Sequence, residues 1–246
     1  MFFYDNLVMQ TPISTLKGLS SLATKHVLLA LAKQYQTDTG TQVNVETIGG
    51  VDAARRVAES GTSGEAIDLI FLGSDAIDKL IAAGHVQQGS RVDWVKSTVA
   101  VAVRTGAPKV DITNEASVKA AVVAAPSISY STGPSGVYLA KLFERWGIAD
   151  AVNAKLVQAP PGVPVGSLVA SDKVALGFQQ MSELLGMEGL DVLGNLPEAI
   201  ACITTFSSGI PSSCRPAASQ AARGLQTFLA SSQTESAKKK YGMYWL

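Results

Sequence analysis

Three short segments place glycine and hydroxyl residues between a β-rich run and a helical pattern. They are Lys17-Gly18-Leu19-Ser20-Ser21, Ile48-Gly49-Gly50-Val51 and Tyr130-Ser131-Thr132-Gly133-Pro134-Ser135-Gly136. A helix N-terminus offers unpaired N–H groups and the positive end of a dipole, and together these favour an anion. Glycine lets the backbone approach a ligand, and Ser or Thr adds a neutral donor. Ordinary N-capping accounts for any one such turn. Three of them, divided between two halves of the chain, point to a shared anion site. Gln179-Gln180 follows another β-rich run ending at Phe178, where an amide can serve a ligand or a loop. Arg55 and Arg56 fall in the first turns of a helical stretch, where a guanidinium can grip a carboxylate or face solvent.

Other chemistries find little support. None of the glycine turns has the dinucleotide or Lys-ending phosphate-loop spacing. No Ser-centred nucleophile elbow is present. With two His and two Cys in 246 residues, a transition-metal site is not expected. His26 and His85 read as structural. Cys202 and Cys214 can pair in an oxidising compartment or remain thiols. Twenty Lys+Arg balance twenty Asp+Glu, which argues against a general nucleic-acid binder. The one charge run, Lys238-Lys239-Lys240, reads as a solvated helix face.

The elements that must position these groups alternate β and α. Strands are expected at Ile13–Lys17, Val43–Thr47, Ile67–Leu72, Ser127–Tyr130, Lys155–Gln158 and Val174–Phe178. Helices are expected from Ser20 or Ser21 to Asp38, then at Asp52–Ser60, Ser74–Ala83, Asn114–Val123, Pro134–Trp146, Val165–Ala170, Ala217–Leu229 and Thr234–Tyr241. This order predicts parallel sheets covered by helices. Two longer β segments, Trp94–Arg104 and Ile200–Phe206, predict two crossings between two α/β lobes. Residues 1–97 plus 205–246 would form the first lobe, and residues 98–204 the second. In such sheets ligands bind at the carboxyl ends of strands.

With this pattern in place, the chain resembles the type 2 periplasmic-binding-protein fold, and more narrowly the molybdate-binding-protein-like solute-binding family. The resemblance is carried by Gly18–Leu22, Ala66–Asp75, Gly133–Tyr138 and Val174–Phe178. It implies a ligand cleft between the lobes. The oxyanion would be held by the first-lobe serine at Ser20 or Ser21, by the backbone at Gly49 or Gly50, by the amide at Ser135 and by an amide near Val163 to Val165. Two departures matter. A serine usual in the first lobe is replaced at Gly49-Gly50, and a tyrosine expected after the Leu-Gly strand falls on Gln180. These changes suit a larger or carboxylate-bearing anion.

The resemblance implies a solute-binding protein for a small anion, an oxyanion or a di- or tricarboxylate, working with an ABC transporter membrane component and no cofactor. The same fold family includes a cofactor-independent aconitate isomerase, the alternative reading, in which Lys17, Arg55, Ser131, Thr132 and Gln180 would anchor carboxylates. No residue stands out in the sequence as the base. The stretch Met1–Gln10 lacks the basic start and cleavage site of a secretory signal. The expected location is periplasmic if a signal has been removed, and cytoplasmic otherwise.

Overall fold

The computed structural model describes residues 15–160 and 162–245. The expected strand start at Ile13 and the reading of Met1–Gln10 lie outside that range. Strand β1, Thr15–Ser21, leads through a 3-10 turn, Leu22–Thr24, into helix α1, Lys25–Thr39. Gly40 ends α1 in the left-handed region at φ 75°, which glycine adopts without steric cost. Strand β2, Gln42–Ile48, precedes α2, Gly50–Ser63, and β3, Leu69–Gly73, precedes α3, Ser74–Ala82. Ala53, Val57 and Ser60 recur at helical spacing and form the buried stripe of α2.

The long strand β4, Val92–Arg104, is followed by α4, Glu115–Ala124, β5, Ile128–Tyr130, α5, Pro134–Arg145, and α6, Ala149–Asn153. Then come α7, Val165–Ala170, β6, Leu176–Gln180, α8, Met181–Leu184, and β7, Leu190–Asn195. The chain returns through β8, Ile203–Gly209, to α9, Ser219–Ala230, and α10, Glu235–Lys240.

The strands run in the order β2-β1-β3-β8-β4-β6-β5, with β7 on β4. β4 changes partners along its length. Val92 to Thr98 pair antiparallel with β8, whereas Val99 to Ala102 pair with β6 and Ala100 to Arg104 with β7. Apolar clusters follow the same division. One gathers Leu16, Leu28, Phe71, Trp94 and Leu225, and a companion on the opposite sheet face gathers Leu19, Val57, Ile70 and Ile77. Another gathers Val101, Ile128, Leu139, Phe143 and Phe178. The architecture is the two-lobed α/β type 2 periplasmic-binding-protein fold, with the cleft where β4 and β8 pass between the lobes.

Three expectations need correction. Lys155–Gln158 is not a strand. Only Leu156 bridges to Ile128, while the Lys155 ammonium donates to the carbonyls of Val123 and Ala125 and holds the segment as a connector. The helix expected from Ser20 or Ser21 starts only at Lys25, because both serines belong to β1 and the 3-10 turn intervenes. Strand β7, for which no element was expected, forms by pairing with β4 across a bulge at Val101/Ala102. Lys238 is not solvated but fully buried. Its Nζ donates to Leu229 O at 2.6 Å, at the carbonyl end of α9, and lies 5.8 Å from the centroid of Trp94. Burial lowers its pKa to about 8. Cys202 and Cys214 are both buried and free, in different apolar clusters.

Candidate functional site

A cavity of about 500 Å³ opens at the carboxyl ends of the strands of both lobes. From the first lobe it receives Ser21 at the end of β1, Gly49-Gly50 at the start of α2, Gly73 at the end of β3, and Asp75 and Lys79 from α3. From the second it receives Ser131, Thr132 and Ser135 at the start of α5, then Gln179, Gln180 and Glu183 around the β6–α8 junction. Thr204 on β8 also lines it. The helices α2, α3 and α5 each begin after a glycine, Gly49, Gly73 or Gly133, and no side chain caps them. The first N–H groups of α2 and α3, at the cavity wall, therefore lack a side-chain acceptor, whereas in α5 Pro134 has no N–H and the Gly136 N–H donates to Gly133 O at 3.0 Å, which leaves the Ser135 N–H.

The predicted residues divide into two groups. Ser21, Gly49, Gly50, Ser131, Thr132, Ser135 and Gln180 line the cavity together. Lys17, Ser20, Arg55 and Val165 are not among its lining residues. Alternation along β1 separates Ser20 from Ser21. The Ser20 hydroxyl is buried against Ser21 O, at 2.9 Å, and Thr24 Oγ1, at 2.8 Å. The Ser21 hydroxyl, also buried, has no hydrogen-bond partner in the protein. Lys17 lies in a separate groove with Arg56 and Glu65. Arg55 is exposed and pairs with Asp52 and Glu59 along its own helix. Val165 is fully buried among Leu168 and Val169, and the next amide, Gly166 N–H, is consumed internally by Gln179 Oε1 at 3.1 Å.

Within the cavity most of the polar groups are neutral donors and acceptors, and Asp75, Lys79 and Glu183 are the ionisable ones. Ser131 Oγ and Ser135 Oγ share a hydrogen bond of 3.0 Å, so neither hydroxyl caps α5. Gln180 Nε2 donates to Thr204 Oγ1 at 2.8 Å, and Gln180 Oε1 is buried with no partner. A hydroxyl can donate as well as accept, so the amide can rotate, keep Thr204 and turn its NH₂ toward a ligand.

Four lining residues with polar side chains were not singled out from the sequence: Asp75, Lys79, Glu183 and Thr204. Glu183 is the most consequential. It sits on the short α8 and is half-buried by surface exposure. Its carboxyl group is hemmed in by protein, and no Lys or Arg lies within ion-pairing distance among the described residues. Burial pushes its pKa up to about 7, an effect that a hydrogen bond from Gln179 Nε2 at 2.7 Å partly offsets. The signal was present as one acid within the apolar run Met181-Ser182-Glu183-Leu184-Leu185, four residues after Gln179. Lys79 is the one Lys or Arg on the cavity wall among the described residues. The arrangement can hold an anion through helix ends and hydroxyls and can move one proton near neutral pH.

The chain matches, over residues 16–244, the family described as "Bacterial extracellular solute-binding protein". It is 34% identical over 239 residues to an aconitate isomerase of Pseudomonas sp., covering 96% of this chain and 90% of that one. Among solved structures, the periplasmic molybdate-binding protein of Azotobacter vinelandii superposes with a TM-score of 0.75 at 18% identity, over 94% of this chain and 99% of that one. A tungstate binding protein from Desulfovibrio alaskensis gives 0.63 at 16%, over 90% and 92%. Among the described residues no helix is long and apolar enough to cross a membrane. The match of the profile along nearly the whole chain, together with the shared fold, establishes that the chain belongs to the bacterial extracellular solute-binding protein family.

Proposed function

We propose that the cleft binds a small di- or tricarboxylate and isomerises it by allylic proton transfer, as an aconitate isomerase. The observation that carries this is Glu183, a carboxyl group with a pKa near 7 in the wall of an anion-binding cleft. A receptor that only holds an anion gains nothing from a second negative charge there. A proton-transferring enzyme needs a base whose pKa lies near the working pH. The Pseudomonas relative named for this reaction supports the reading.

In the proposed reaction the Glu183 carboxylate takes a proton from the methylene carbon of cis-aconitate. The C–H electron pair forms a new double bond as the old one shifts. The same proton, or one exchanged from solvent, passes from Glu183 to the former alkene carbon. Atoms and electrons balance without a cofactor. Ser21, the N–H groups at the start of α2, the N–H and hydroxyl of Ser135, and Ser131, Thr132 and Gln180 would hold the carboxylates, and Lys79 would neutralise one of them.

Family membership and the neutral donor set favour a second reading, a periplasmic receptor that passes its anion to an ABC transporter membrane component. Both readings use lobes of 1–97 plus 205–246 and 98–204. The change of partners at Thr98/Val99 supports the first boundary.

Proton NMR of cis-aconitate in deuterium oxide separates the two readings. The isomerase produces trans-aconitate, with deuterium on the substrate carbon to the extent that Glu183 exchanges its proton with solvent before returning it. Glu183→Gln should lower turnover at least about 100-fold while ligand binding persists. A parent protein that binds the tricarboxylate but neither isomerises it nor exchanges its protons is the receptor.

A further inference from the structure

Gln179 is 2% exposed and both ends of its amide are engaged. Its Oε1 accepts from Gly166 N–H at 3.1 Å, and its Nε2 donates to Glu183 Oε1 at 2.7 Å. The backbone N–H can only donate, so the carbonyl end of Gln179 must face Gly166 and the NH₂ end must face Glu183. The backbone of α7 thus fixes the orientation of the amide, and the amide engages one of the two oxygens of Glu183. Gly166 is itself constrained: a Cβ there would lie 2.7 Å from Met187 Sδ and 3.0 Å from Leu190 Cδ1.

We propose that Gln179 is the positioning residue for Glu183, holding one carboxyl oxygen through the α7 backbone so that the other is presented to the substrate in the cleft. This deepens the isomerase reading and rests on it for the catalytic consequence. The hydrogen bond favours the ionised carboxylate, so Gln179 also keeps the group usable as a base at neutral pH. The remaining charged groups do not do this. Asp75 and Lys79 across the cleft, Asp93, Lys96 and Arg104 on β4, and Asp191 on β7 make no contribution to the shift at Glu183, whose two causes are burial and Gln179.

The test compares the parent with Gln179→Met and Gln179→Glu, using cis-aconitate as substrate and cis-aconitate binding as a control. Gln179→Met keeps the volume and removes the donor. Its kcat should fall about 10- to 100-fold with KM changed less than about threefold, as expected for a displaced catalytic group. The acid limb of its pH–rate profile should move up by about one pH unit, the worth of one charge-assisted hydrogen bond. Gln179→Glu keeps an acceptor for Gly166 N–H and remains informative if the Met variant does not fold. Its two carboxyl groups would share a proton, so activity should be lost again at high pH, where the parent is fully active.

Infrared titration of the Glu183 carboxyl, assigned by its loss in Glu183→Gln, reads the same effect without turnover. If the parent shows no isomerisation, the isomerase reading fails, and this titration still decides whether Gln179 controls Glu183. Variant pH profiles and carboxyl titrations identical to the parent's would overturn the proposal and leave Gln179 a packing residue.

Discussion

Glu183 combines a stability cost with a use. Its folded pKa is about 7 against an ordinary 4.5, so the folded state binds more protons than the unfolded chain between those values. Stability therefore falls as pH rises from about 4.5 to 7 and stays lower above that range. Glu183→Gln removes the penalty. Its Tm should exceed the parent's by a few degrees at pH 8 and match it at pH 4.5, as measured by calorimetry. An equal Tm at both pH values would mean that the carboxyl group is solvated. Ser21 gives a second test with opposite signs. Its buried hydroxyl has no partner in the protein, so Ser21→Ala should leave unliganded stability unchanged or slightly raised. Affinity for the anion should fall about 10-fold, one hydrogen bond to a charged ligand. The glycine–hydroxyl turn made the pair Ser20 and Ser21 legible without choosing between them, and left Glu183 unread, because a lone acid in an apolar run gains meaning only once its surroundings are known.

At the scale of elements, two glycines that looked alike in sequence have different duties. A Cβ on Gly136 would lie 1.6 Å from the carbonyl oxygen of Ser131, within the turn itself. Gly136→Ala should therefore destabilise the fold by more than about 2 kcal/mol, seen in denaturant unfolding, and any loss of binding would follow from that. A Cβ on Gly50 would meet only Ser21 Cβ at 3.5 Å and Leu72 Cδ2 at 3.9 Å, ordinary contacts. Gly50→Ala should fold like the parent yet weaken anion binding, because its methyl group sits beside Ser21 at the cavity wall. If both variants bind normally, the helix starts are caps and not a site. The βα alternation and the limits of α3 and α5 were readable because periodicity and punctuation agree there, whereas the start of α1 was not, because β1 runs through Ser21 and a 3-10 turn delays the helix to Lys25. β7 and α8 were not, since tertiary pairing decides short elements flanked by glycine. Lys238 misled for a related reason: two exposed lysines follow it, and only the packing of α10 on Trp94 shows that it points inward.

For the whole molecule, electrostatics decides how an anion can be held at all. Twenty cations balance twenty anions, and the cavity itself presents Lys79 against Asp75 and Glu183. Neither the bulk charge nor the charged side chains of the wall attract a polyanion. Affinity must then come from short contacts, the N–H groups of α2, α3 and α5 and the hydroxyls between them, which mobile ions screen little. Raising sodium chloride from about 50 to 500 mM shortens the Debye length from over 10 Å to under 5 Å. The Kd for cis-aconitate, followed by calorimetric titration, should nevertheless change less than about threefold. A site held together by a cation cluster would weaken far more over the same range. The same chemistry sets the stabilisation on binding: at a ligand concentration of about 100 Kd, the folded state gains about 2.7 kcal/mol, or about 5–10 °C in Tm for a chain of this size. That shift should persist in high salt and in Glu183→Gln and shrink in Gly50→Ala. A shift that vanished in salt would transfer the binding role from the helix ends to Lys79.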